Sequence, residues 1–452
     1  MFLARRTRQV ATTMSRSTPP ALDGERAPKR QKLGQLTHDS FKNGVFLAPM
    51  VRSGALPTRL TALKHGASLV WGPEVVDKAI LHTERVVDPH TGVVSYHGKT
   101  RAIFTTHPIE KPYLIYQIGS ASPELAVQAA KTVAQDVSGI DLNCGCPKPF
   151  STHSGMGAAL LTNPDLLCAI LTALRRELPP EITVSAKIRL LPTQEETKKL
   201  VERIIRTGVS ALTVHCRSRN MRQREAALVN RLREIVEFVQ GLGVDIAIIE
   251  NGDCKGWEDA RRVKRLTGAS SVMIATAAEA NPTCFSSTPL MDVETTFIPS
   301  YLRLSRYLDN HWALTKFCVS QFKAPRTERS KTEAHRFKTH IIAAKEYDGL
   351  TELVGEWTGE KDFADIVSAI EARRPRPLTV AAMPTDPDAL EEARLTSTPP
   401  VRPNPEPPTS CAPLGPSTRS RMPLPAVITG SDAITPSPTP KAVSPFSVSR
   451  RS

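Results

Sequence analysis

The chain has 452 residues and a formal net charge of +14 at pH 7, with 40% hydrophobic residues. That length leaves room for two or three domains and a large core, and the charge favours an anionic partner, nucleic acid before a membrane surface. No run approaches the roughly 20 apolar residues of a membrane span, so no membrane partner is expected.

Residues 1–36 hold arginine, serine and proline but little that could join a core, and are expected to form a disordered basic arm. Within it, Arg5, Arg6, Arg8 and Arg16 without a nearby acid fit a mitochondrial presequence, while Pro28-Lys-Arg-Gln-Lys32 resembles a nuclear import signal. The compartment expected is cytoplasmic, nuclear or both, with mitochondrial import as the other option. The 8 scattered cysteines, with no secretory signal, point to reduced thiols. Cys144 and Cys146 lack the Cys/His partners of a zinc site, so no metal is expected.

From Val45 onward, short apolar runs alternate with amphipathic patterns. Strands are predicted at Val45–Met50, Ser68–Gly72, Tyr113–Gly119, Ile140–Asn143, Thr183–Leu190, Ala211–Cys216, Asp245–Asn251 and Ser271–Thr276. Helices are predicted at Pro123–Val137, Pro164–Leu178, Gln194–Thr207, Leu228–Gln240 and Glu258–Leu266. Eight β-then-α units over roughly 230 residues predict an α/β fold, a (β/α)8 TIM barrel occupying 37–295. The alternative, a doubly wound open sheet, lacks a G-x-G-x-x-G after its first strand. Val86–Phe104, with Asp88-Pro-His-Thr-Gly92 inside it, reads as a hairpin on the barrel rim.

Residues 296–372 read as a small helical domain. Lys316, Lys323, Arg326, Arg329, Lys331, Arg336 and Lys338 cluster there, interleaved with Trp312, Phe317, Phe322 and Phe337. This is either a solvated basic face over an apolar core or a surface for a phosphate backbone. Beyond it, 373–452 carries about half of the 38 prolines and is expected to be a disordered Pro/Ser/Thr-rich tail.

Chemistry concentrates at Gly139-Ile-Asp-Leu-Asn-Cys-Gly-Cys-Pro-Lys148, where an apolar strand ends in an amide, a thiol and a tight turn. Cys146 is the candidate catalytic residue. Other predicted strand ends carry Met50-Val-Arg52, Gln117, Asn143, Lys187 with Arg189, His215 with Arg217, and Asn251-Gly-Asp253. Period-two alternation puts Lys187 and Arg189 on one face, and His215 and Arg217 on another. Six strands ending this way point to a shared ligand. The loops after strands seven and eight, Asn251–Cys254 and Ala275-Thr276-Ala277-Ala278, are built of small residues that suit a phosphate. Such a phosphate, with a carbonyl-rich ring near Lys187, Gln117 and His215, describes flavin mononucleotide (FMN), although spacing alone does not separate it from a sugar phosphate.

Leu47-Ala-Pro49-Met50, Gln117-Ile-Gly119, Asp141 to Lys148, Gly155-Met-Gly-Ala-Ala-Leu160, Lys187-Ile-Arg189, Val214-His215 and Asn251-Gly252 together resemble the tRNA-dihydrouridine synthases, in the eukaryotic form acting at position 20. The resemblance covers about 45–370. It implies an FMN barrel followed by a helical domain that grips tRNA, acting as a monomer. It also implies reduction of the uracil C5=C6 bond with NADPH or NADH as electron donor. In that reading Cys146 gives the proton to C5, and Asn143 and Arg189 meet the substrate. The flavin is held by Pro49, Met50, Val51, Arg52, Gln117, Lys187, His215, Asn251, Gly252, Asp253, Ala275 and Thr276. Cys144, Cys216, Glu250 and Thr276 depart from the family pattern, the last standing where an arginine usually meets the phosphate. These departures keep open a tRNA-binding relative with weak or no reductase activity.

Overall fold

The computed structural model describes residues 35–222, 224–323 and 339–380. Its strands are β1 (Val45–Leu47), β2 (Val70–Trp71), β3 (Val75–Val76), β4 (Glu84–Val87), β5 (Val94–His97), β6 (Ala102–Thr106), β7 (Leu114–Gly119), β8 (Gly139–Cys144), β9 (Thr183–Leu190), β10 (Ala211–Ser218), β11 (Ala247–Asn251) and β12 (Ser271–Ile274). β1, β2 and β7 to β12 pair in parallel, and the β1–β12 and β2–β7 pairings close the ring. The fold is the expected TIM barrel with a helical part after it.

Alternation along each strand divides the barrel into two apolar layers. Ile140, Leu142, Val184, Ala186, Ile188, Leu212 and Val214 face outward into the packing with the helices. Phe46, Trp71, Ile115, Ala211, Ala247, Ile249 and Met273 fill the lower lumen, joined by Leu36 and Phe41 from ahead of β1. Each of these large side chains contributes about 1.5–3 kcal/mol when fully removed from water. Leu36, which the sequence assigned to the disordered arm, is buried against this plug. Residues 1–34 lie outside the described residues.

Helices Pro123–Val133, Pro164–Glu177, Gln194–Ile205, Val229–Gly241 and Trp257–Thr267 follow their strands as expected. Local chemistry sets their ends: Asn163 and Thr193 cap two of them, the second through a reciprocal bond with Glu196, and Gly268 closes another in the left-handed region. Two β/α units depart from the regular pattern. After β2 the strand breaks at Gly72-Pro73-Glu74 and resumes as β3, which pairs with the far end of β7. Only a four-residue helix, Asp77–Ile80, follows. The last unit likewise carries a five-residue helix, Thr276–Ala280.

The hairpin expected at Val86–Phe104 is a three-stranded antiparallel sheet, β4–β5–β6. The Asp88 carboxylate accepts from the backbone of His90 and Thr91 to shape its first turn. Arg85 and Tyr96 both reach Asp136 and tie the sheet to the barrel's outer wall. A helix not foreseen, Leu56–Lys64, follows β1 and is buried almost throughout, Arg59 included. The Arg59 guanidinium holds Glu110 through two bonds of 3.0 and 2.6 Å and donates to the carbonyls of Gly54 and Thr105.

Beyond the barrel, helices Ile298–Tyr307, Trp312–Gln321, Thr351–Val354 and Gly359–Glu371 enclose a second apolar cluster of Phe297, Tyr301, Leu302, Val319, Phe322, Ile341 and Leu350. Tyr301 OH and Thr58 Oγ1 bond at 2.8 Å, and Leu304, Leu308, Ile366 and Ile370 join the main core. Lys316 donates to the carbonyls of Ile342 and Ala344, so it braces this segment rather than standing free in the basic face. Arg326, Arg329, Lys331, Arg336, Phe337 and Lys338 lie outside the described residues.

The tail expected from 373 begins differently. Arg373 stacks over Tyr113, Arg376 lies 3.6 Å from the centre of the Trp257 ring, and Leu378 is buried with its N–H bonded to Asn43 O. Residues 373–378 therefore bind the barrel through guanidinium faces and one leucine, contacts that a count of apolar residues overlooks. The remainder, 381–452, lies outside the described residues.

Candidate active site

Register brings the polar strand ends to one face. Gln117 stands beside Asp141 and Asp141 beside Ser185; Asn143 stands beside Lys187 and Lys187 beside Thr213; Arg189 stands beside His215 and His215 beside Asn251. All point into the upper lumen, at the carboxyl ends of the strands. Gln117 Nε2 donates to Asp141 at 2.8 Å and Ser185 Oγ at 2.7 Å, which places two donors on a fully buried carboxylate. Burial raises the Asp141 carboxyl above its usual range, and these bonds oppose the rise.

The Cys146 turn is built by Asn143. Its Oδ1 accepts the N–H groups of Gly145 (2.9 Å) and Cys146 (3.0 Å), so the strand cannot run on and the thiol is set at the barrel mouth. The Gly155–Gly157 loop then closes on the turn, with Ala158 N–H donating to Cys146 O at 2.9 Å. Gly157 has φ of +59°, and a Cβ there would lie 2.6 Å from Cys146 O, so only glycine fits. Cys146 is half-buried; burial first, and then the charge of Glu74, push its thiol above the usual range.

Two cations and a histidine share this space. Burial, followed by the charge of Arg189, lowers Lys187 to about 8. Burial also lowers His215 far below its ordinary value, helped by Lys187, Arg189 and Arg217, which leaves a neutral imidazole at physiological pH. Arg189 braces the mouth by donating to Gly145 O and Ser218 O. Arg217 pairs with Asp253 and donates to Glu225 O.

Some expected ligand residues are turned elsewhere. The Arg52 guanidinium lies over the Phe317 ring at 5.1 Å, Val51 is exposed, and Asp253 is held by Arg217 and the N–H of Ala227. Asn251 donates its amide to Met273 O, which joins the loops at Gly252 and at Ala275-Thr276 side by side. Pro49 and Met50 line the adjoining β1 loop, where Ser53 bonds the Glu279 carboxylate. Glu250 points away from the lumen, as alternation requires, and is fully buried in the wall with neither carboxylate oxygen hydrogen-bonded among the described residues. That departure from the family pattern lies off the lumen, with its Oε1 against Gly252.

Sequence reading missed Thr213 and Glu74. Thr213 sits two residues before His215 on the same face, and its buried Oγ1 finds no partner among the described residues. Glu74 lies against Cys146 and Asn143, brought there by the break in the second barrel strand.

A family model, Dihydrouridine synthase (Dus), matches residues 46–348. The chain belongs to the dihydrouridine synthase family. It is 49% identical over 290 residues to the tRNA-dihydrouridine(20) synthase (NAD(P)+) of Schizosaccharomyces pombe, covering 62% of this chain and 60% of that protein. Against the tRNA-dihydrouridine(20) synthase (NAD(P)+) of Saccharomyces cerevisiae it is 42% identical over 299 residues, 62% of this chain and 77% of that one. The tRNA-dihydrouridine(20a/20b) synthase (NAD(P)+) of Saccharomyces cerevisiae is 29% identical over 255 residues, 56% of this chain and 65% of that protein.

Proposed function

We propose that this chain is an FMN-dependent tRNA-dihydrouridine synthase that reduces the C5=C6 bond of a D-loop uridine, at position 20, using NADPH or NADH. Family membership supports the reaction, and the names of the two relatives above 40% identity support the position and the electron donor. The observation that carries the reading is a thiol, Cys146, poised at a barrel mouth above a set of inward-facing lumen donors.

Those donors suit a flavin. Thr213 Oγ1 is buried without a partner among the described residues and stands in register with Lys187, while Gln117 turns its amide nitrogen to Asp141. Lys187, neutral His215 and Thr213 would contact the ring, and the backbone at Gly252 and Ala275–Thr276 would meet the phosphate. Bound and reduced, the flavin supplies the hydride that uracil C6 accepts.

The chain's own residues supply the rest. Cys146 holds a proton at neutral pH and gives it from sulfur to C5. Asn143 and the Gly157 loop fix the sulfur in place, and Arg189 holds the turn from the other side. A uracil reaches this point only after leaving its stack, and Lys148 and Phe150, both exposed just after Cys146 in the chain, would meet the extruded nucleotide. The test is to release the chromophore from purified protein by heat, identify it by mass, and map dihydrouridine in a tRNA transcript treated with enzyme and NADPH. FMN and product at position 20 are expected. A colourless chain that cannot be reconstituted, yet binds tRNA, would instead establish the binding-only relative.

A further inference from the structure

Glu74 has no part in the chemistry above, yet it occupies a place that needs explaining. It follows Gly72-Pro73, where the second barrel strand breaks before β3 resumes along Ile118 and Gly119. The break turns its side chain across the lumen mouth onto Cys146 and Asn143. Its Oε1 is buried and finds no hydrogen-bond partner among the described residues. Gly119 is what admits it, since a Cβ at that position would stand 2.7 Å from Oε1. Ser151, fully buried, also lies against the sulfur. A buried carboxylate that takes its donors from the Cys146 thiol and the Asn143 amide bears directly on that sulfur.

Resting on the reductase reading, we propose that Glu74 is a positioning residue for Cys146: its carboxylate, set against the sulfur by the strand break, holds the thiol in its protonated form so that the acid is loaded when uracil arrives. The charge opposes thiolate formation, which keeps the proton donor intact and slows oxidation or alkylation of the sulfur. The groups facing the pair are few. Cys144 and Lys148 lie near Glu74; Arg189, Ser151 and the Lys148 N–H face Cys146 and favour the thiolate. Burial first, and then the charge of Glu74, leave the thiol raised against these opposing groups.

The test is the pH dependence of Cys146 alkylation by iodoacetamide in the full chain, read by peptide mass analysis. With Glu74→Gln the midpoint is expected to fall by about one pH unit, making alkylation near neutral pH roughly threefold faster while the high-pH plateau falls by about the same factor, since the less basic thiolate is the weaker nucleophile. Glu74→Asp, which draws the carboxylate back, should move the midpoint in the same direction by less. In dihydrouridine formation, the alkaline limb of the Glu74→Gln rate profile should shift down in step. A midpoint indifferent to Glu74 in an enzyme that makes dihydrouridine overturns this proposal alone, even if the plateau changes through altered access. A shifted midpoint in a chain that makes no dihydrouridine overturns the reductase reading and leaves the Glu74–Cys146 relationship standing.

Discussion

Asn143 Oδ1 accepts the backbone N–H of Cys146 at 3.0 Å and that of Gly145 at 2.9 Å, so the residue ending β8 also holds the turn that aims the thiol. Asn143→Ala removes the acceptor of both bonds and frees the sulfur to wander by about an ångström. Dihydrouridine formation is expected to fall roughly 10²-fold, since misplacement on that scale costs about this much. Flavin content should be retained, as measured by the ratio of visible to ultraviolet absorbance.

Lys187 gives a pH-dependent prediction. Its folded value in the free chain is about 8, and a ligand that accepts from Nζ favours the charged form. FMN binding should therefore be strongest below pH 8 and weaken as pH rises through it. Titration of the apoprotein with FMN at several pH values should show this trend, and Lys187→Met should bind more weakly with the trend flattened.

Glu250 sets a stability trend of its own. Burial first, then the charges of Asp253 and Asp259, raise its folded value to about 8, above the unfolded value near 4.3. A raised folded value means the native state holds the proton more tightly. Its contribution is fully present below the unfolded value and is lost as pH rises through about 8. Glu250→Gln cannot ionise, so its melting temperature relative to the parent should rise as pH goes from 5 to 9. Thermal melts across that range check the sign.

Arg59 and Glu110 form a pair with both side chains buried, and Arg59 also holds the carbonyls of Gly54 and Thr105. Arg59→Ala leaves a buried carboxylate uncompensated and should cost about 3–5 kcal/mol in chemical denaturation. Because Gly54 closes the β1 loop, Arg59→Ala should also weaken flavin binding.

The barrel was legible because its strands obey one rule: buried on both faces, they read as apolar runs, and β9 matches its predicted span of Thr183–Leu190. Alternation likewise placed Lys187, Arg189, His215 and Asn251 on the lumen and Glu250 off it. What escaped were places where tertiary contacts override pattern. Helix Leu56–Lys64 hides Arg59 and two threonines in its buried surface, so it has no clean polar face. Glu74 follows a proline that ends the apparent strand, and only the resumed pairing of β3 reveals that it still belongs to the rim. The Arg373–Leu378 segment looks like tail by composition because arginine counts as polar, yet its guanidinium groups sit over the rings of Tyr113 and Trp257.

The most direct test of the central claim compares the parent chain with Cys146→Ala, scoring dihydrouridine in tRNA and bound flavin in the same preparations. We expect the variant to keep its flavin, with reduction of that flavin by NADPH and tRNA binding unimpaired, and to lose product formation by about 10²–10⁴-fold, the range a positioned acid contributes. Unchanged product formation in Cys146→Ala would contradict the assignment of the thiol as the proton donor.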